Sequence, residues 1–163
     1  PERHIFNNNG LYYKEGDAGT LPPGSVLLAP IEGSAEGRLV IDGSLFGQIV
    51  DSPVKLEIQA GKVVDVKGGK AAKRLQDLFS QHGPEATTVA EFGIGTNPKA
   101  KLSGIPIEDE KTFGNCYISL GSNVGLGGRV FARTHASAIL RKPTILFDKK
   151  KIAQGGKFLL GKL

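Results

Sequence analysis

Val54-Lys55-Leu56-Glu57-Ile58-Gln59-Ala60-Gly61-Lys62-Val63-Val64-Asp65-Val66, followed closely by Gly69–Gln81, sets the fold class. In the first part apolar and polar residues alternate on both sides of Gln59-Ala60-Gly61. That is the period of two expected of paired strands, with a turn where glycine permits left-handed backbone. In the second part Ala71, Ala72, Leu75, Leu78 and Phe79 recur at helical spacing, and His82-Gly83-Pro84 closes the run. A hairpin joined to an amphipathic helix predicts a helix packed on one face of a sheet.

Outward from this unit the chain reads as further short strands. Ser25–Pro30 is one. Gly37–Asp42 and Ser44–Val50 flank Asp42-Gly43 and predict another hairpin, while Thr87–Phe92 and Asn115–Leu120 are strand-like runs after the helix. Gly121–Gly128 is a glycine-rich loop leading to the segment with His135. Pro143–Phe147, a turn at Asp148-Lys149-Lys150 and Lys151–Ala153 form a last hairpin. With 23 glycines and nine prolines among 163 residues, the expectation is an α+β domain. It consists mainly of antiparallel or mixed β sheets with hairpins and one principal helix over about 69–81.

Composition is that of a globular protein: 39% hydrophobic, 23% charged and a net charge of +5. Seven Lys/Arg against one Asp in residues 141–163 carry that excess, leaving residues 1–140 at about −1. The tail offers few aromatics among its lysines, so nucleic acid is not an expected partner, and Lys149-Lys150-Lys151 reads as a solvated turn. No apolar run nears the roughly 18 residues that span a bilayer, so membrane association is not expected and the cytoplasm is the expected compartment. The single cysteine, Cys116, excludes an internal disulfide and a cysteine-based zinc site. The sequence contains no methionine, even at position 1. The expectation is one domain over residues 1–163, the C-terminal metal-site part of a longer chain whose N-terminal domain is absent.

Several chemistries are excluded by their missing motifs: the Gly-x-Ser-x-Gly elbow, the phosphate-binding loop ending in Gly-Lys-Ser/Thr, and His-Glu-x-x-His. Gly93-x-Gly95 and Gly125-x-Gly127-Gly128 do not complete a dinucleotide fingerprint. The positive signal is Glu91 inside the apolar run Val89-Ala90-Glu91-Phe92. A buried carboxylate needs a metal, a cation or a set of donors. Downstream, His135 and Ser137 lie two apart in Thr134-His135-Ala136-Ser137-Ala138, so on extended backbone both face one side. His4 and His82 lie at a terminus and a helix end and are expected at the surface.

Four segments taken in order carry a family resemblance: Leu21-Pro22-Pro23-Gly24-Ser25-Val26-Leu27-Leu28-Ala29-Pro30, Ala90-Glu91-Phe92-Gly93-Ile94-Gly95-Thr96-Asn97-Pro98, Asn115-Cys116-Tyr117-Ile118-Ser119-Leu120-Gly121 and His135-Ala136-Ser137. The chain resembles the thermophilic metalloprotease, or aminopeptidase T, family. That resemblance implies a two-metal domain that hydrolyses N-terminal residues from peptides and dimerises when full length. The family's ligand positions fall at Ser25, Glu91, Tyr117, Val124, His135 and Ser137, and two of the six keep the family residue, Glu91 and His135. By resemblance, a divalent metal (Zn, Co, Mn or Fe) is expected on Glu91 and His135 with Tyr117 and Ser137, and a small peptide or other small molecule is the expected substrate. Two alternatives accompany this reading. One is a catalytically lapsed small-molecule-binding or dimerisation domain. The other is a mononuclear Fe(II) ring-cleaving enzyme related to the 2,5-dihydroxypyridine dioxygenases, with a serine among Ser119, Ser122 and Ser137 beside Glu91 and His135.

Overall fold

The computed structural model describes residues 3–159. Its largest sheet has seven strands in the spatial order β1 (Phe6–Asn8), β2 (Ser25–Leu28), β8 (Val89–Gly95), β9 (Cys116–Gly121), β10 (His135–Leu140), β4 (Ser44–Leu45) and β5 (Gln48–Ile49). A second sheet holds β3 (Gly37–Ile41), β6 (Val54–Gln59) and β7 (Lys62–Lys67); a third holds β11 (Ile145–Phe147), β12 (Lys150–Gln154) and β13 (Lys157–Phe158). All paired strands run antiparallel. The principal helix is α1 (Lys70–His82), and a short helix, α2 (Pro106–Asp109), lies in the long loop between β8 and β9. The predicted α+β class therefore holds.

The hairpin predicted around Gln59-Ala60-Gly61 forms β6 and β7. Its turn residues Ala60 and Gly61 both take positive φ, 47° and 75°, as a two-residue turn of matching twist requires. Helix α1 buries Ala72 and Leu75 against the small sheet, and Gly83, at φ 81°, ends it by donating its N–H to the Phe79 carbonyl. Between the small sheet, α1 and one face of the large sheet lies the main core, with Ile41, Val54, Leu56, Leu75, Val89 and Leu120 among its members.

The hairpin predicted around Asp42-Gly43 does not form. β3 pairs with β6 in the small sheet, whereas β4 joins β10 in the large one, so Asp42-Gly43 is a crossing between sheets. Gly43 fits there because it donates its N–H to the Ile139 carbonyl, and a Cβ would come within 2.8 Å of that oxygen. Ser44–Val50 is not one strand but a hairpin of its own, turning at Phe46 (φ 54°) and Gly47 (φ 72°). The last predicted hairpin forms, with Lys149, Lys150 and Lys151 exposed at its turn, and gains the unpredicted strand β13. No helix among the described residues is long and apolar enough to cross a membrane.

Candidate functional site

On the large sheet the face opposite the main core carries the polar residues. β10 pairs with β9 so that Ala136 and Ala138 meet Leu120 and Ile118, which leaves His135 and Ser137 on the other side with Ser119 and Tyr117. On β8, simple alternation would put Glu91 on the same face as Val89. A bulge prevents this: Val89 pairs with Leu120, Glu91 pairs with Ser119, and Ala90 is the extra residue. The bulge turns Glu91 out of the main core and into the polar row.

Glu91, Tyr117, His135 and Ser137 converge there. The Tyr117 hydroxyl donates to Glu91 Oε1 at 2.8 Å, and His135 Nε2 lies 3.1 Å from Glu91 Oε2. Ser119 Oγ is 3.3 Å from Glu91 Oε2 and 3.1 Å from Ser137 Oγ, and Ser137 donates to Glu110 Oε1 at 2.6 Å. Lys111 Nζ then donates to Glu110 Oε2 at 3.0 Å. Room for the Tyr117 ring comes from its cross-strand neighbour Gly93, where a Cβ would sit 2.1 Å from the ring. Burial, then the nearby Glu91 and Glu110 carboxylates, push the Tyr117 phenol far above its usual range. It remains a donor.

The sequence reading missed Glu110 and Lys111, although Glu108-Asp109-Glu110-Lys111 lies just beyond a helix-starting proline. Such a charged run is ordinarily solvated. Here Asp109 is fully buried, accepting the Ser44 hydroxyl at 2.5 Å and the Ser103 and Gly104 N–H groups at 2.8 and 3.1 Å. This anchor fixes α2 against β4 and hangs Glu110 and Lys111 over the polar face.

The other positions play smaller parts. Ser25 is buried beside the Tyr117 phenol, whose raised pKa its hydroxyl partly offsets; Val124 is half exposed on a 3₁₀ turn, and Ser122 contributes only its carbonyl, to His135 Nδ1 at 3.1 Å. His4 and His82 are exposed, as expected. The Cys116 thiol, buried beside Asp42, is pushed up to about 12 and is no nucleophile at neutral pH.

The histidine geometry constrains the site's charge. A carbonyl can only accept, so His135 Nδ1 carries the proton it donates to Ser122, and a neutral ring then presents a lone pair from Nε2 to the Glu91 carboxylate. Two acceptors 3.1 Å apart need a positive charge between them. A proton is one solution: the Glu91 hydrogen bond raises the His135 pKa and outweighs the opposing effect of burial. A divalent cation is the other. Metal–ligand bonds of about 2.1 Å at right angles put their donor atoms about 3 Å apart, the spacing found here. Glu91 and His135 thus fit two positions around one ion, with Ser119 or Ser137 as neutral neighbours. Among the described residues no group of three His, Cys, Asp or Glu side chains is arranged to hold a metal.

Fold and site together define a class: antiparallel sheets bearing one acid–histidine pair beside a row of hydroxyls. The 2,5-dihydroxypyridine 5,6-dioxygenase (NicX) family model matches residues 2–160, and the chain belongs to that family. Among solved structures it is similar to 2,5-dihydroxypyridine dioxygenase from Pseudomonas putida KT2440, at 27% identity and a TM-score of 0.76, covering 84% of this chain and 44% of that one. It also resembles wild-type AmpT from Thermus thermophilus, at 15% identity and a TM-score of 0.68, over 98% of this chain and 44% of that one. The chain thus spans under half the length of either protein. No curated protein matches it.

These findings overturn the expected aminopeptidase T membership, and with it the hydrolase and metalloprotease reading. Two of the segments behind that resemblance also encode backbone packing. A Cβ at Gly24 would lie 2.6 Å from Asn97 Cβ, Asn97 donates to the Pro23 carbonyl, and Thr96 donates to that of Gly24. The Leu21–Pro30 and Gly93–Pro98 motifs are two halves of one interlocked turn. At 15% identity the likeness to AmpT is one of fold alone.

Proposed function

We propose that this chain carries the reacting centre of a ring-cleaving dioxygenase for a hydroxylated pyridine, with Fe(II) held by Glu91 and His135. The observation that supports it most is the face-to-face placement of His135 Nε2 and Glu91 Oε2 at 3.1 Å, two acceptors that a proton or a metal ion must bridge, in a chain of this family. Redox activation of molecular oxygen is the chemistry that iron bound there supplies.

The protein's own groups prepare the site. Tyr117 occupies Glu91 Oε1 and leaves Oε2 turned toward His135, while the Ser122 carbonyl fixes the imidazole tautomer that presents Nε2. Ser119 and Ser137 link Glu91 to Glu110, so a proton leaving a substrate hydroxyl finds an acceptor within the same row. In the full-length protein we take this unit to assemble as a homodimer.

The test is loss of the ring absorbance of 2,5-dihydroxypyridine in air after anaerobic loading with Fe(II). Turnover that disappears in Glu91→Gln and His135→Ala supports the proposal; no turnover in any loaded sample refutes it.

A further inference from the structure

A cavity of about 680 Å³ opens on the polar face between the N-terminal loop and the Gly125-Leu126 turn. Its lining is of two kinds. Phe6, Leu11, Tyr12 and Tyr13 contribute aromatic and apolar surface and are all partly or largely exposed, Tyr13 by 80%. Glu91, Glu110 and Lys111 contribute charge.

Lys111 is the unusual member, since only 3% of its side chain is exposed. An ammonium has three N–H donors, and among the described residues it has a single hydrogen-bond acceptor, Glu110 Oε2. The face of the Tyr117 ring, 6.0 Å from Nζ, offers weak further compensation. A buried cation with unfilled donors is costly unless something else accepts from it. Lys111 borders the cavity, so a ligand there can be that acceptor.

The neighbours narrow the ligand's chemistry. A purely anionic group would accept from Lys111 but meet Glu91 and Glu110 in the same lining. A hydroxyl suits both, because its oxygen accepts from the ammonium while its proton goes to a carboxylate. The aromatic and apolar side chains of the lining suit a flat ring.

We propose that Lys111 is the specificity-determining residue of this cavity, favouring aromatic rings that place a hydroxyl oxygen against its ammonium. The proposal rests on the ring-cleaving reading for the ring's identity, and it concerns recognition rather than the oxygen chemistry. Gly125 provides an independent handle. A Cβ there meets nothing within 4 Å and its φ is not positive, so a bulky residue can be accommodated at the rim.

The experiment is anaerobic calorimetric titration of 2,5-dihydroxypyridine, with pyridine as the probe lacking a hydroxyl, into the full chain and into Lys111→Met, Lys111→Arg and Gly125→Phe. Circular dichroism checks that each variant folds. Loss of one charge-assisted hydrogen bond predicts that Lys111→Met binds the dihydroxylated ring about ten- to a hundredfold more weakly, with pyridine binding unmoved. Lys111→Arg should recover most of the affinity, and Gly125→Phe should weaken the dihydroxylated ring by blocking the cavity. Unchanged binding in Lys111→Met overturns the proposal, as does absence of binding to the unmodified chain. If Lys111→Met does not fold, unchanged binding in Gly125→Phe overturns it instead. Hydroxyl-dependent binding with no oxygen-dependent turnover would sink the dioxygenase reading and leave this one standing. Turnover with an unchanged KM in Lys111→Met would do the reverse.

Discussion

Replacing Tyr117 by phenylalanine removes one oxygen from the centre of the polar row and leaves the ring in place over Gly93. That oxygen makes the only hydrogen bond received by Glu91 Oε1 among the described residues, at 2.8 Å, and the tyrosine is 1% exposed. Hydrogen bonds to charged groups contribute about 1.5–3 kcal/mol, and the cost of losing one rises when the remaining acceptor is buried. Ser119 cannot substitute, since its 3.3 Å contact is to the other carboxylate oxygen. The expected loss is therefore about 2 kcal/mol. Guanidinium unfolding of the metal-free protein measures it, read as a shift of midpoint at constant slope. Tyr13→Phe, the same chemical change on a side chain 80% exposed, is the control and should stay within about 0.5 kcal/mol of the unmodified protein. If Tyr117→Phe matches that control, the phenol does not hold the Glu91 carboxylate and the described order of the site is wrong.

Other outcomes follow from the same geometry. Gly93→Ala drives a methyl to 2.1 Å from the buried Tyr117 ring and should cost at least about 1–3 kcal/mol in the same unfolding assay. Asp109→Ala leaves the Ser44 hydroxyl and the Ser103 and Gly104 amides without their acceptor; amide exchange across 103–111 should accelerate while that of α1 stays protected. The Glu32 carboxyl would be raised by burial, but the Arg129 N–H, the Asn123 amide and the Arg3 guanidinium outweigh this and hold it at about 2. Its stabilisation is present above the unfolded value near 4.5 and fades as pH falls toward 2, so Glu32→Gln should flatten the acid limb of a melting-temperature profile. For His135 the sign is opposite. Its folded pKa is raised, so its contribution is complete below the unfolded value near 6.5 and fades as pH climbs through the folded one. Melts of the metal-free protein should therefore decline over that interval, and less so in His135→Ala.

Local pattern made much of this molecule legible. Alternation and a glycine turn announced β6 and β7, the helical spacing of Ala72, Leu75 and Phe79 announced α1, and the i, i+2 relation of His135 and Ser137 survived because β10 is regular. What stayed hidden depends on contacts between distant segments. Asp42-Gly43 has the composition of a hairpin turn, yet Gly43 is held by Ile139, nearly a hundred residues away, and the chain changes sheets there. The bulge at Ala90 is invisible to alternation, though it decides which way Glu91 points. Glu110 and Lys111 escape a reading of the sequence because nothing local reveals that Asp109 is anchored to Ser44. The mistaken family had a physical origin too, since two of its motifs here are the interlocked turns of Gly24 and Asn97.

The assignment of Glu91 and His135 as the reacting centre is tested most directly with isotopically labelled oxygen. The Fe(II)-loaded chain is mixed with 2,5-dihydroxypyridine under ¹⁸O₂ and the product is weighed by mass spectrometry. The predicted result is an opened ring carrying both labelled atoms, formed by the unmodified protein and absent with Glu91→Gln or His135→Ala. Labelled product at undiminished rate in either variant, or none from the unmodified protein, would contradict it.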